Sequence, residues 1–218
     1  MDRLLIEQIN MTYLKSFLTI SMVMLTVSCS NVDRSRSFGD PSVNGKTLAQ
    51  QVCSNCHGID GNSGSEQFPK LAGQQKEYLL LQLKSFNDHS RTDRLAQEIM
   101  AGMSRDLTTN QANQIADYFS GQKPVNITKT SSNTQEGKVI FEQGIASKSI
   151  VACAICHGQD AAGYQTFPRL AGQHKNYLVK QLIVFKNGHG RPNTPMAGIT
   201  QELSVEEIEK VSNYLANL

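Results

Sequence analysis

Apolar residues recur along this chain at the three- and four-residue spacing of amphipathic helices. Leu79, Leu83 and Phe86 lie at positions i, i+4 and i+7, which places them on one face of a helix. The same spacing returns 99 residues later, at Leu178, Leu182 and Phe185. No long segment alternates apolar and polar residues as a half-buried strand does. The pattern therefore predicts an all-α protein whose helices come in two similar sets.

A further helix in each set is predicted by the polar residues at which it begins. Thr108 and Gln111 have the spacing of a capping box, in which two side chains bond the free amides at a helix start. Ser204 and Glu207 repeat this spacing. Apolar residues follow each box at helical intervals, namely Ile115, Tyr118 and Phe119 after the first and Ile208, Val211 and Leu215 after the second. Each set thus closes on an amphipathic helix.

The helical pattern belongs to an internal repeat. Residues 68–74 read Phe-Pro-Lys-Leu-Ala-Gly-Gln, and residues 167–173 differ from them only by Arg in place of Lys. Self-similarity of this kind indicates a duplicated domain. We predict one domain over 45–121 and a second over 136–218. The segment 122–135 between them is rich in Ser, Thr and Asn and contains a proline, which predicts a linker.

The most specific chemistry is a five-residue motif that occurs in both predicted domains. Cys53, Cys56 and His57 form the first Cys-x-x-Cys-His sequence, which is the attachment signal for c-type haem. The second motif consists of Cys153, Cys156 and His157. The two thiols add to the vinyl groups of a haem, and the histidine becomes the proximal ligand of its iron. We therefore predict two covalently attached haem c groups and a protein that moves electrons.

Two other uses of paired cysteines fit the sequence less well. A zinc site built from two Cys-x-x-Cys pairs usually keeps the pairs about 15–20 residues apart, whereas Cys56 and Cys153 are separated by 97 positions. A thioredoxin-like redox pair does not need a histidine directly after its second cysteine. Haem attachment accounts for both the spacing and the histidine.

A haem iron that only passes electrons needs a sixth ligand, and methionine opposite histidine raises its reduction potential. Met100 and Met196 stand at equivalent positions of the repeat, each seven residues before a leucine and two before a glycine. Met103 aligns with Ile199, which cannot bind iron, so Met103 is the reserve candidate. The competing role for any of these methionines is core filling. The remaining histidines are weaker candidates: His89, His174 and His189.

Other residues are expected to support the haems without binding iron. Pro69 and Pro168 follow their motif histidines by 12 and 11 residues. A backbone carbonyl there can accept the Nδ1–H of the histidine and fix its orientation. Arg91 and Arg191 follow the paired apolar helices and are candidates to neutralise haem propionates. The alternative for both arginines is a solvated surface position.

In combination, these features resemble the di-haem cytochrome c4 family over residues 45–218. The shared pattern is a tandem Cys-x-x-Cys-His-Gly motif, followed each time by Phe-Pro-[Lys/Arg]-Leu-Ala-Gly-Gln, a Tyr-Leu helix and a Met-x-Gly loop. The resemblance implies two class I cytochrome c domains, each wrapped around one haem, packed with pseudo-twofold symmetry. It also implies histidine–methionine ligation of both irons, with the proline carbonyl contacting the proximal histidine. The sequence departs from the pattern at 141–151, where the second domain is about eight residues longer than the first.

The resemblance also implies redox partners. These are a terminal haem-copper oxidase that receives electrons, and a cytochrome bc complex or a dehydrogenase that supplies them. The leading hypothesis is therefore an electron carrier that is not an enzyme. One alternative is a di-haem redox enzyme that oxidises thiosulfate or acts on peroxide, which would need an open iron site. Another is a cytochrome subunit bound to a dehydrogenase.

The N-terminus predicts export. Residues 17–28 are apolar, which fits the hydrophobic region of a signal peptide and is too short to span a bilayer. We predict a signal peptide over 1–28, with Met11 as an alternative start, and lipid attached to Cys29, the one cysteine outside the haem motifs. A secretory signal that discards Cys29, or an uncleaved anchor, is the alternative. Residues 29–44 would form a flexible tether from a membrane, and the protein would lie in the periplasm.

The net charge of the chain does not alter the predicted function. The chain of 218 residues has a formal net charge of +2, which does not favour a nucleic-acid partner. The propionates of two haems would take the holoprotein slightly negative. Docking to redox partners is therefore expected to depend on local charged patches.

Overall fold

The computed structural model describes residues 36–125, 134–191 and 194–218, and the regular structure of these residues is helical. The first half contains α1 (Gly45–Leu48), α2 (Ser54–His57), α3 (Lys76–Asn87), α4 (Arg94–Ser104) and α5 (Thr109–Ser120). The second half contains α6 (Gln135–Gln143), α7 (Ala154–His157), α8 (Lys175–Lys186), α9 (Met196–Thr200) and α10 (Val205–Ala216). Among the described residues, β pairing is limited to isolated bridges. Residues 38–218 form one compact unit, and the all-α prediction is confirmed.

The last helix of each half begins at its predicted capping box. The Thr108 hydroxyl accepts a hydrogen bond from the Gln111 amide at 3.1 Å, and the Thr108 amide donates to Gln111 Oε1 at 3.0 Å. Ser204 and Glu207 make the same exchange at 3.1 and 2.7 Å. Both predicted boxes are confirmed. They satisfy amides that would otherwise lack partners, and they fix where α5 and α10 begin.

Each half is closed where its first helix crosses its last helix at a glycine. A Cβ added at Gly45 in α1 would overlap the backbone carbonyl oxygen of Gln111 in α5. A Cβ added at Gly137 in α6 would overlap the carbonyl oxygen of Lys210 in α10. Only glycine lets the two backbones approach so closely. The crossing holds the first helix, and therefore the haem motif that follows it, against the rest of the half.

The predicted apolar faces form the cores. Leu79 of α3 is buried in the first half, and Leu83 is packed partly buried against the same core. The other large members of this core are Leu48, Ile115 and Phe119. In the second half Leu178 of α8 is buried with Phe141, Ile208, Val211 and Leu215. The helical spacing read from the sequence therefore identified part of each core. Leu48 and Phe141 enter the cores without having been predicted, and Phe86 and Phe185 are buried outside both clusters.

The second half differs from the first just before its haem motif. In the first half α1 continues through a π-helical segment, Ala49–Cys53, directly into α2. In the second half α6 ends at Gly144, whose φ of 73° favours glycine, and residues 145–150 form a small turn closed by backbone hydrogen bonds. Lys148 of this turn pairs with Glu207 at the start of α10 at 2.7 Å. The extra residues of the second half are therefore braced against its last helix.

The described end of the predicted tether packs against the first half. Val43 is buried, and Gln111 Nε2 donates to the carbonyls of Asp40 and Val43 at 2.9 and 3.1 Å. These hydrogen bonds hold residues 40–43 on α5, so this end of the segment 29–44 is part of the folded half.

The remaining N-terminal predictions fall outside the described residues. These are the signal peptide over 1–28 and the lipid on Cys29, while the middle of the predicted linker, 126–133, is outside them as well. At the start of that linker, Asn62 of the first half bonds the backbone of Lys123 and Val125 at 3.0 and 2.9 Å. No helix among the described residues is long and apolar enough to cross a membrane.

The halves face each other through a reciprocal set of hydrogen bonds. Gln74 Oε1 accepts from the Arg169 amide at 2.7 Å, and Gln74 Nε2 donates to the Arg169 carbonyl at 3.0 Å. Gln173 makes the same exchange with Lys70, at 2.9 Å in both directions. Each glutamine ends one copy of the repeated heptapeptide and binds the other copy. This reciprocity is what pseudo-twofold packing of the two halves requires.

Candidate haem sites

The first Cys-x-x-Cys-His motif lies on the turn formed by Cys53 and α2. Cys53 and Cys56 are three residues apart on this turn, and both are free of disulfide bonds. His57 is 7% exposed, and its Nδ1 lies 2.9 Å from the carbonyl oxygen of Pro69. Because a carbonyl can only accept, Nδ1 carries the proton, and Nε2 keeps the lone pair that can bind iron. Covalent haem needs two thiols to attach to its vinyl groups and one oriented imidazole to bind its iron, and this turn supplies all three.

The second motif has the same geometry. Cys153 and Cys156 are free thiols on the turn that includes α7. His157 is 6% exposed, and its Nδ1 lies 3.0 Å from the carbonyl oxygen of Pro168. Both proline contacts suggested by the sequence are therefore present. An aromatic ring also meets each imidazole edge-on, with centroid distances of 6.2 Å for Phe68 and His57 and 6.4 Å for Phe167 and His157.

Burial favours the neutral form of both motif histidines. Burial lowers the pKa of His57, and the hydrogen bond to Pro69 offsets this only in part. Burial likewise lowers the pKa of His157, where the charge of Arg191 acts in the same direction. Neutral imidazole is the form that binds a metal ion. The protonation state of both side chains thus suits a proximal ligand.

The motif cysteines lack the properties of the two competing sites. Burial raises the pKa of Cys53 and of Cys153 to about 11, whereas a reactive redox dithiol has a lowered thiol pKa. Within the described residues no three His, Cys, Asp or Glu side chains converge as a metal-binding group. The two cysteine pairs therefore do not join into one zinc site.

The predicted sixth ligands lie in different local structures. Met100 is inside α4, a helix of 11 residues, whereas Met196 is the first residue of α9, which has five residues. Both side chains are half-buried, while Met103 is exposed. Gly102 and Gly198, two residues after the paired methionines, each have open space where a Cβ would lie. The assignment of Met100 and Met196 to the irons stays a prediction.

The two arginines considered for haem propionates are not solvated surface residues. Arg91 is 4% exposed and donates to Gln82 Oε1 at 3.0 Å and to Gln181 Oε1 at 3.2 Å. Arg191 donates to the same Gln82 oxygen at 3.0 Å. The Nε of Arg91 is buried and has no hydrogen-bond partner among the described residues. A free guanidinium donor at this depth fits an acidic group such as a haem propionate.

Sequence reasoning had singled out these arginines separately, and Gln82 and Gln181 also occupy equivalent positions of the repeat. It missed that they meet, because their hydrogen bonds cross between residues about 90 positions apart. It also missed Asp93, which is 3% exposed and bonds Gln181. The only signal in the sequence was the recurrence of Gln and Arg at matching places in the two halves.

Known proteins share this arrangement. The cytochrome c family matches residues 42–123 and again residues 134–218. Cytochrome c-552 of Acidithiobacillus ferridurans is 34% identical over 220 residues, which cover 100% of this chain and 94% of that protein. The solved structure of cytochrome c4 from Acidithiobacillus ferrooxidans matches with a TM-score of 0.71 and 40% identity, covering 76% of this chain and 98% of that one. The thiosulfate dehydrogenase electron acceptor of Thiomonas intermedia is 32% identical over 75% of this chain and 77% of that protein.

Two haem-attachment turns in two tandem helical domains define a di-haem c-type cytochrome. This chain belongs to the cytochrome c family and within it to the di-haem cytochromes c4. It carries two covalently bound haem c groups, one on each cysteine pair. Its role is electron transfer and not catalysis on a substrate, as in the related cytochromes.

Proposed function

We propose that this chain is a respiratory electron carrier between a cytochrome bc complex or a dehydrogenase and a terminal haem-copper oxidase. The observation that supports this most strongly is the pair of equivalent sites, in which His57 and His157 are each oriented by a proline carbonyl at 2.9 and 3.0 Å. The reciprocal hydrogen bonds of Gln74 and Gln173 hold these sites in one unit. Two one-electron centres in a fixed relation suit a protein that takes up an electron at one partner and releases it at another.

In this proposal His57 and Met100 bind the first iron, and His157 and Met196 bind the second. The haems supply one-electron chemistry, and the protein sets their potentials through axial ligands, burial and hydrogen bonds. The proline carbonyl fixes each imidazole and strengthens it as a donor. When both axial positions are filled by the protein, neither iron offers a site to a substrate, which separates a carrier from a haem enzyme.

The proposed place of action is the periplasm. Residues 1–28 would direct export, and a lipid on Cys29 would hold the folded unit near a membrane. Cys29→Ser should then release the protein from the membrane fraction with both haems still attached. If the unchanged protein is already found in the soluble periplasmic fraction, the lipid anchor is wrong.

A second candidate role is acceptance of electrons from a dehydrogenase of a sulfur compound. The observation in its favour is the relative from Thiomonas intermedia that is named a thiosulfate dehydrogenase electron acceptor. Reduction of the oxidised holoprotein by thiosulfate alone would indicate an enzyme. Reduction only when a thiosulfate dehydrogenase is also present would indicate an acceptor.

The direct test of the main proposal is turnover between partners. Catalytic amounts of holoprotein should restore oxygen uptake by a haem-copper oxidase that is supplied with quinol through a cytochrome bc complex. Met196→His protein, at equal haem content, should restore less uptake because its lowered potential disfavours acceptance of an electron by the second haem. Oxygen uptake no greater than without the holoprotein would contradict the proposal.

A further inference from the structure

Each motif histidine is hydrogen-bonded to a peptide group that the opposite half also binds. The Nδ1 of His57 lies 2.9 Å from the carbonyl oxygen of Pro69. The other end of that peptide group is the amide of Lys70, which donates to Gln173 Oε1 of the second half at 2.9 Å. One peptide group therefore connects the imidazole of the first half to a side chain of the second half.

The second half repeats this series of hydrogen bonds. His157 Nδ1 lies 3.0 Å from the carbonyl oxygen of Pro168. The Arg169 amide of the same peptide group donates to Gln74 Oε1 of the first half at 2.7 Å. We call each series of histidine, proline peptide and glutamine a peptide relay. In both relays the histidine and the proline belong to one half, and the glutamine belongs to the other.

The glutamine of each relay is fixed in place by further hydrogen bonds. Gln173 Oε1 also accepts from the amide of His174 at 3.0 Å, and Gln173 Nε2 donates to the Lys70 carbonyl at 2.9 Å. Gln74 makes the same kinds of bond in the other relay. Because these bonds engage both ends of each side-chain amide, its acceptor oxygen stays directed at the relay peptide.

Both relays are shielded from water. The two glutamines are 6% and 7% exposed, and the two motif histidines are 7% and 6% exposed. In such a site, hydrogen bonds in series polarise one another by about 10–30% per bond. A peptide group transmits this effect from its N–H to its carbonyl because resonance joins the two. Donation from Lys70 to Gln173 thus makes the carbonyl of Pro69 a better acceptor for His57.

We propose that Gln173 and Gln74 are positioning residues, each of which tunes the iron of the opposite half through its peptide relay. A stronger acceptor for Nδ1–H makes an imidazole a stronger donor to its metal ion. A stronger donor favours ferric over ferrous iron and so lowers the reduction potential. Contact between the halves is thereby coupled to the potential of each haem. The inference rests on the proposed function, because it requires His57 and His157 to be iron ligands.

The test is to remove one relay glutamine at a time from the holoprotein. Gln173→Met keeps the length of the side chain but not its acceptor oxygen, so it should raise the reduction potential of the first haem. Gln74→Met should raise that of the second haem. The equilibrium constant for reduction should increase by about threefold, or about 28 mV, since a tenfold change is about 59 mV for one electron. Redox titration followed by NMR, with the haem resonances of each half assigned separately, measures both potentials.

A second readout reports the hydrogen bond of the histidine itself. In the reduced, diamagnetic holoprotein the Nδ1–H resonance of His57 should move upfield in Gln173→Met, while that of His157 stays in place. Gln74→Met should give the reverse result. A glutamine that only supports folding would not select the histidine of the opposite half.

Two further variants separate the relay from a general loosening of the interface. Gln75→Ala removes another hydrogen bond between the halves, to the Ala162 carbonyl at 2.9 Å, without touching either relay peptide. It should leave both potentials unchanged. Gln173→Glu keeps an acceptor oxygen at the same reach whether or not its carboxyl is ionised. The potential of the first haem should then stay at or below that of the unchanged protein.

The inference is overturned if Gln173→Met and Gln74→Met leave both potentials unchanged, or if each shifts chiefly the haem of its own half. It is equally overturned if Gln75→Ala shifts the potentials by as much, or if Gln173→Glu raises the first potential as Gln173→Met does. Failure of the proposed function has a different signature. The unchanged holoprotein would then contain a motif histidine that is not bound to iron, and the inference would fall with it.

Discussion

The two halves reach the same haem-binding turn by different routes. In the first half one helical segment runs from Gly45 through π-helical residues to His57. In the second half the helix stops at Gly144, and a turn braced by Lys148 precedes α7. Both halves nevertheless share the proline carbonyl on the motif histidine, the glycine crossing and the capping box. The contacts that orient the imidazole are common to both halves, while the chain leading to them differs.

A second contrast concerns the segments that carry the predicted sixth ligands. Met100 lies within a helix of 11 residues, whereas Met196 begins one of five. The number of residues from the methionine to the first residue of the following capping box is eight in both halves. The position of the ligand is therefore expected to depend on its spacing from the last helix and not on the length of its own helix.

Replacing one predicted axial ligand is the most severe test of the view that the two halves hold equivalent and independent haem sites. Met196→His should lower the potential of the second haem by on the order of 100 mV or more, because imidazole favours ferrous iron less than a thioether does. The first haem should be nearly unchanged, and Met100→His should give the mirror result. Redox titration measures both potentials, with Met103→Leu as the control that shifts neither. A shift at both haems, or at neither, would contradict two independent sites.

The glycine crossings should be equally sensitive in the two halves. Gly45→Ala and Gly137→Ala each place a Cβ against a backbone carbonyl of the crossing helix. Each should lower the free energy of unfolding by at least about 1–3 kcal/mol. Denaturant unfolding of the holoprotein, followed by far-ultraviolet circular dichroism, measures the change. An unaltered midpoint for either variant would show that its crossing can relax.

Equivalent substitutions on the two sides of the interface between the halves should lower the free energy of unfolding by similar amounts. Gln74→Ala and Gln173→Ala each remove two hydrogen bonds to the opposite half and one from the amide of the next residue, and each leaves a backbone amide of the opposite half without its acceptor. Each should cost about 1–3 kcal/mol of unfolding free energy. Gln67→Ala, at an exposed position of the same segment, is the control and should change little. Markedly unequal effects would show that the interface is not symmetric in energy.

The smallest expected effect is a difference between the two capping boxes in how their contribution to stability depends on pH. Burial raises the pKa of Glu207, but hydrogen bonds from Lys148 and Ser204 lower this pKa by more than burial raises it. The pKa of Glu207 in the folded protein is therefore below its ordinary value of 4.5. Stability from Glu207 is therefore present above pH 4.5 and lost as pH falls through the lower folded pKa. Gln111, its counterpart, does not titrate.

Thermal unfolding of Glu207→Gln protein at pH 7 and near pH 3 measures this contribution. The loss of stability on acidification should be smaller than in the unchanged protein, by less than about 1 kcal/mol because the pair is partly exposed. Lys148→Met should reduce the same loss. An unchanged acid dependence in both variants would assign it to other carboxylates.

Local chemistry was predictable from the sequence, and contacts between the halves were not. The motif spacing of Cys53 and Cys56 and the capping box at Thr108 depend on neighbours within a few residues, so the sequence alone specifies them. The burial of Val43 on α5 was missed, because a polar segment around it concealed one apolar residue. Asp93 was missed because its partners Gln181 and Lys180 are brought close only when the halves pack together.

The central claim is that both irons are held by one histidine and one methionine. Magnetic circular dichroism of the oxidised holoprotein, with carbon monoxide added to the reduced form, tests it most directly. We expect methionine–iron charge-transfer intensity equivalent to two sites per chain and no binding of carbon monoxide. A high-spin or bis-histidine component, or carbon monoxide binding at one haem, would contradict the claim and identify an open site.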